Sequence, residues 1–251
     1  MPRIALVCEY DGTDFVGYQI QNNGRSVQEE INKAVSSLYK EEIKVTGCSR
    51  TDAGVHARHH VCSCDVPFII PADKIPFALN AFLPGDVAVK KAVYVRDDFS
   101  ARFDTLGKTY IYRIYSSPIR SPLKSRYAHH VTFKLDVDSM KDAASYFAGE
   151  HDFAAFCAAG GSQTTTVRRI HSVKVNTSID DPELIEIEVS GEAFLYNMVR
   201  IIAGTLLYVG IGKIKPNDIP VIIDSKDRKN AGKTLPPEGL TLEKVFYKED
   251  I

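Results

Sequence analysis

The run FLYNMVRIIAGTLLYV, residues 194–209, is apolar on almost every side and carries a single charge, Arg200. A helix that is apolar all round has no face to offer water, so the rest of the chain must surround it. It is also shorter than the ~20 residues that a membrane span needs. A guanidinium buried in such a helix costs several kcal/mol unless an anion meets it. The fold therefore has to provide both a covering layer and a carboxylate, or receive a phosphate, at Arg200.

The material for that layer is read from periodicity. Strands are predicted over residues 3–10, 43–48, 56–66 and 86–95, and helices over 26–39 and 73–81. The helix at 26–39 opens on a capping box, Ser26 with Glu29 three residues on. A second set follows: strands over 108–116, 168–176, 184–190 and 241–247, with helices over 136–148 and 194–209. Two similar halves, 1–104 and 105–251, make an α+β protein of largely antiparallel sheet with covering helices. A chain of 251 residues can bury one large core or two smaller ones.

Between two of the predicted strands lies GCSRTDAGVHA, residues 47–57, in which one carboxylate, Asp52, sits among small residues and two glycines, with Arg50 two positions away. A carboxylate in a loop at a sheet end is accessible to a substrate, as a nucleophile must be. A plain surface turn uses the same residue types. Asp52 is the partner expected for Arg200; an arginine reaching solvent, or paired with a structural acid such as Glu192, is the alternative. Tyr110 and Tyr112 share one face of their strand by period-two alternation, with Arg113 on the other, and from the residues alone either ring can be core or site.

The whole loop string resembles the signature of the tRNA pseudouridine synthases of the TruA type, and other segments match in order along most of the chain. They are Glu9-Tyr10-Asp11-Gly12 with Phe15-Val16-Gly17-Tyr18-Gln19, Asn80-Ala81-Phe82-Leu83-Pro84-Gly85, Lys108-Thr109-Tyr110-Ile111-Tyr112, and Phe194-Leu195-Tyr196-Asn197-Met198-Val199-Arg200. Some departures from the pattern are visible: Tyr18 stands where many members have Trp, and His59-His60 replaces a smaller or amide pair. The resemblance implies that Asp52 is the nucleophile, that Arg200 pairs with it, and that Tyr110 stacks on the target base and is a candidate to take the C5 proton. It implies that Arg50 enters the space the flipped base leaves. It also implies that the two sheets join with the active cleft between the halves, that the chain is a homodimer, and that the substrate is tRNA, at uridines 38, 39 and 40 of the anticodon arm. Isomerising uridine requires no redox, phosphoryl transfer or Lewis acid, so no cofactor or metal is expected.

Charge bears on the RNA reading. Lysines and arginines number 31 against 32 acids, a net charge of −1, where a tRNA-binding chain is expected to be basic. The distribution is uneven, however. Residues 105–135 hold no acid but contain Lys108, Arg113, Arg120, Lys124, Arg126 and Lys134, and 153–179 hold no acid but contain Arg168 and Arg169. Carboxylates gather at 180–188, so a two-signed surface with one basic face is expected, a chance gap in acids being the alternative.

Smaller motifs are weighed against these. Gly232-Lys233-Thr234 looks like the end of a P-loop, but Asp227 stands where its first glycine belongs, and 226–233 reads as a mobile basic loop. His59, His60, Cys62 and Cys64 resemble metal ligands, yet three ligands on one strand do not close a tetrahedron, and buried thiols in a sheet are expected. A zinc deaminase would need paired His-x-Glu and Cys-x-x-Cys, and a non-catalytic RNA-binding module leaves Asp52 unexplained. Five cysteines without framework spacing, no spanning segment and no signal peptide point to a cytoplasmic protein with reduced thiols.

Overall fold

Ser26 starts the first helix as its sequence position predicts. Its backbone is extended and its Oγ accepts a hydrogen bond from the Glu29 N–H at 3.4 Å. The computed structural model describes residues 1–161 and 164–251; Ser162 and Gln163, inside the acid-free stretch 153–179, lie outside the described residues. The chain divides into two units, Met1–Gly107 with Thr241–Ile251, and Lys108–Leu240.

In the first unit, β1 (Arg3–Tyr10), α1 (Val27–Tyr39), β2 (Thr46–Gly47), β3 (His56–Asp65), α2 (Ile75–Asn80) and β4 (Val87–Val95) follow one another. Strand β1 pairs antiparallel with β3 on one side and β4 on the other, and β2 adds to β3. Being central, β1 is covered on both faces, with Ile4, Ala5, Leu6, Val7 and Cys8 all buried, so it reads as an unbroken apolar run rather than an alternation. Helix α1 buries Val27, Ile31, Ala34, Val35 and Tyr39, the three-to-four spacing of one helical face.

In the second unit come β5 (Gly107–Ser116), β6 (His129–Val131), α3 (Val137–Ala144), β7 (Gly149–Asp152), β8 (Val167–Thr177), β9 (Leu184–Gly191), α4 (Met198–Gly210) and α5 (Ile219–Ser225). Strands β5, β9, β8 and β7 neighbour in that order, antiparallel throughout, while β6 runs parallel to β5. Strand β9 alternates, burying Ile185, Ile187 and Val189. Helix α4 is surrounded, as its composition demands: Ile201, Ile202, Ala203 and Leu206 are wholly buried.

The last strand, β10 (Leu240–Phe246), returns to the first unit, where Thr241 and Leu242 lie parallel to His56 and Ala57 of β3. The order of elements along the sequence had placed it at the end of the second half. Three other elements differ from expectation. The strand predicted over 43–48 is ladder-paired only at β2, because side chains of α1 take up its backbone groups. Ile43 N–H donates to Ser36 Oγ at 2.9 Å, Val45 N–H to Asn32 Oδ1 at 2.9 Å, and Gln28 Nε2 donates to the Val45 carbonyl at 2.8 Å. The helix predicted from residue 194 begins at Met198, since Asn197 takes the left-handed conformation, φ 59°. The helix predicted over 136–148 ends as α3, followed by a 3₁₀ turn at Ser145–Phe147. The short β6, β7 and α5 were not foreseen.

Candidate active site

The Asp52 loop is built against the segment 11–18, and backbone groups do most of the holding. Gly17 and Asp52 form an isolated antiparallel bridge. Tyr18 N–H donates to the Thr51 carbonyl at 3.1 Å, Gly54 N–H to the Phe15 carbonyl at 3.3 Å, and Val55 N–H closes the turn on the Asp52 carbonyl at 3.2 Å. At the loop base Cys48 N–H donates to the Val61 carbonyl at 2.8 Å. The Thr51 hydroxyl, buried, lies 2.8 Å from the Tyr10 hydroxyl.

This approach is possible because glycines stand where the backbones meet. A Cβ on Gly12 would fall 2.0 Å from the Val55 carbonyl oxygen, and one on Gly17, at φ 119°, 2.7 Å from the Thr51 carbonyl oxygen. Gly54 turns the chain at φ 77°. His56, buried directly after the loop, accepts the Gly12 N–H on Nδ1 at 3.0 Å, with Asp11 Oδ1 3.2 Å from the same nitrogen. The outcome is a rigid backbone carrying a half-buried Asp52, with Arg50 exposed two residues before it.

Tyr110 and Arg200 are placed in the second unit. Tyr110 on β5 is buried, its ring edge-on to Phe194 with centroids 5.2 Å apart. Tyr112, on the same strand face, is wholly buried and donates its hydroxyl to the Pro236 carbonyl at 2.8 Å. Arg200 is half-buried rather than fully buried, and its guanidinium is aimed by two neutral acceptors: Nε donates to the Leu235 carbonyl and Nη1 to Asn197 Oδ1, each at 2.7 Å. Glu192, considered above as its structural acid, instead faces Arg169 at 3.6 Å and His171 at 3.9 Å. The carboxylate near Arg200 within this unit is Glu238, whose Oε1 lies 3.3 Å from His129 Nδ1. Burial pushes the Glu238 carboxyl up, but hydrogen bonds from His129 and from the backbone, with the Arg200 charge nearby, outweigh it and leave the group below its ordinary value.

Sequence reading missed Asn197, Leu235 and Glu238. Asn197 had a signal, being one of the few non-glycine types that tolerate the left-handed region. The Leu235 carbonyl had none, since a main-chain acceptor is defined by the fold.

Gly232-Lys233-Thr234 has a packing role. Its backbone crosses α4 so closely that a Cβ on Gly204 would fall 1.8 Å from the Lys233 carbonyl oxygen, and Gly232 N–H donates to Thr205 Oγ1 at 2.9 Å. The stretch 226–233 is anchored rather than a loose loop: Lys226 meets Asp152 at 3.0 Å and Arg228 donates to Thr234 Oγ1 at 3.1 Å.

The acids at 180–188 do not keep apart from the acid-free stretch. Arg113 Nε pairs with Glu186 at 2.8 Å across β5 and β9, Lys124 pairs with Asp181, and Tyr115 donates to Glu183 at 3.0 Å. Chain separation is undone by strand pairing, which leaves Arg120, Arg126 and Lys134 as the exposed cations of that run. Cys62 and Cys64 are buried thiols in β3, with Cys8 Sγ 3.9 Å from Cys62 Sγ; that contact and burial push the Cys62 thiol up. Among the described residues no three His, Cys, Asp or Glu side chains are grouped to hold a metal, and no helix is long and apolar enough to cross a membrane.

A family model described as tRNA pseudouridine synthase matches residues 6–104 and 143–248. The chain is similar to the tRNA pseudouridine synthase A of Ruminiclostridium cellulolyticum, 49% identical over 247 residues that cover 98% of this chain and 100% of the relative. Those of Caldicellulosiruptor bescii and Acetivibrio thermocellus are 47% and 46% identical over the same shares.

Proposed function

The chain belongs to the tRNA pseudouridine synthase family and isomerises uridine to pseudouridine in tRNA, and within that reaction we propose that Asp52 is the nucleophile, aided by Arg200 and Tyr110, and that the anticodon arm is the target. The observation that carries the reading is the clamped loop, in which two glycine contacts and three backbone hydrogen bonds fix the main chain around one half-buried carboxylate. A nucleophile held this way needs no reorganisation when the substrate arrives.

The chemistry is an isomerisation, so nothing leaves. Asp52 adds to C1′ of the ribose or to C6 of the uracil, and the bond from N1 to C1′ breaks. The detached uracil turns, C5 bonds to C1′ as the ester to Asp52 opens, C5 gives up its proton and N1 gains one. A glycosidase releases a leaving group and divides acid and base between two carboxylates; here one is enough. The base must first leave its stack at a cost of a few kcal/mol, which phosphate contacts and stacking on Tyr110 offset. Arg50, exposed two residues before Asp52, is the side chain proposed to fill the gap. Arg200, aimed by Leu235 and Asn197, is the cation assigned to hold Asp52 ionised.

Uridines 38, 39 and 40 are the proposed targets, in a homodimer working in the cytoplasm. Neighbouring positions on a stem differ in height and rotation, so serving all three requires a grip on backbone and shape rather than on bases. Incubation with an unmodified tRNA transcript, followed by carbodiimide mapping, tests this. Pseudouridine at those positions with unchanged mass is expected; pseudouridine confined to the T-arm or D-arm would refute the target.

A further inference from the structure

His60 is wholly buried in β3, and its ring stacks on that of Tyr18, with centroids 4.0 Å apart and planes 25° from parallel. The pair reaches the nucleophile loop at three points. His60 Nε2 lies 3.1 Å from the Ser49 carbonyl, which can only accept, so Nε2 carries the proton. Tyr18 N–H donates to the Thr51 carbonyl at 3.1 Å. The hydroxyl end of the Tyr18 ring presses on Gly47, where a Cβ would fall 2.3 Å from Cε1.

We propose that His60 is a positioning residue for the reaction: its Nε2–H holds the Ser49 carbonyl, and through it sets where Arg50 and Asp52 stand. A buried imidazole without a partner is costly, and here its bond goes to the loop itself. Strand β3 gives it a fixed base, since Cys48 and Val61 tie the loop to the same strand at 2.8 Å. Stacking on Tyr18 keeps the ring in one orientation, and Tyr10, 5.8 Å from the His60 ring, reaches Thr51 from the other side. A histidine that merely filled the core would tolerate any residue of like volume; one that holds a carbonyl requires an N–H donor at the same reach.

The proposal rests on Asp52 as nucleophile, so Asp52→Asn is assayed alongside on an unmodified tRNA transcript. Activity in that variant would remove the reading beneath the proposal and overturn both. With Asp52→Asn inactive, His60→Leu is expected to lower kcat roughly tenfold with KM within about twofold, the effect of a lost buried hydrogen bond that shifts the loop. His60→Gln places an amide N–H at nearly the reach of Nε2 and should restore kcat to within about threefold, whereas His60→Asn, one atom shorter, should not. Wild-type kcat in His60→Leu, or equal losses in the Gln and Asn variants, would make His60 a packing residue and overturn the proposal. Should His60→Leu fail to fold, the Gln and Asn comparison decides, since both are amides and differ only in reach.

Discussion

Gly17 and Asp52 face each other across an isolated antiparallel bridge, with Gly17 at φ 119° and the space its side chain would need closed by the Thr51 carbonyl 2.7 Å away. The Asp52 loop is thus shaped by a residue far from it in sequence that has no side chain.

Gly17→Ala should therefore act twice. The conformation is one L-residues rarely adopt, worth about 1–3 kcal/mol of strain, and the Cβ must push on the loop. The thermal midpoint should fall and kcat should drop, with tRNA affinity little changed. A variant with wild-type kcat would show that the bridge does not matter to Asp52.

Arg200→Lys keeps the charge but cannot donate to both Leu235 and Asn197 from a fixed fork. Losing a charged hydrogen bond of about 1.5–3 kcal/mol predicts a kcat loss of roughly ten- to a hundredfold. Arg200→Met should lose more, because it removes the charge as well, while a half-buried position lets folding be kept. Steady-state kinetics on both variants checks this, and full activity in Arg200→Met would exclude a role beside Asp52.

Gly204→Ala would ordinarily favour a helix, yet the Cβ would meet the Lys233 carbonyl at 1.8 Å. The crossing segment must move, at a cost of about 1–3 kcal/mol. Leu235, the acceptor for Arg200, lies two residues beyond Lys233, so activity should fall together with stability. A calorimetric midpoint unchanged from wild type would contradict the close crossing.

Affinity for tRNA should weaken steeply with salt as counterions are released. Arg120→Ala should flatten that slope by about one unit, because the side chain is exposed. Arg113→Ala should change it little, since Arg113 is already paired with Glu186 at 2.8 Å. Equal effects of the two substitutions would mean that pairing inside the protein does not decide which cations meet phosphate.

Much of the fold was legible in the sequence because its long elements have strong periods. Strand β1 was read to the residue, and Ser26 announced α1. The buried nature of α4 followed from composition, but not its start, which Asn197 moves by taking a left-handed conformation. Elements of three or four residues such as β6 and β7 carry too few positions to show a period. At the site, Asp52 and Arg50 were legible as a string, whereas the clamp around them uses main-chain groups of residues 11–18 that no side-chain pattern reveals. Which cations of the acid-free run stay exposed was not legible for a related reason: antiparallel pairing of β5 with β9 brings Glu186 to Arg113, while Arg120, Arg126 and Lys134 remain exposed.

The most direct test of the account is a single-turnover assay of Asp52→Asn and Asp52→Ala on an unmodified tRNA transcript, with pseudouridine read by carbodiimide labelling and tRNA binding measured in parallel. Both variants should bind tRNA near normally, since the loop is held by backbone bonds that neither change removes, and neither should form pseudouridine. Pseudouridine formed by either variant would contradict the assignment of Asp52 as the nucleophile.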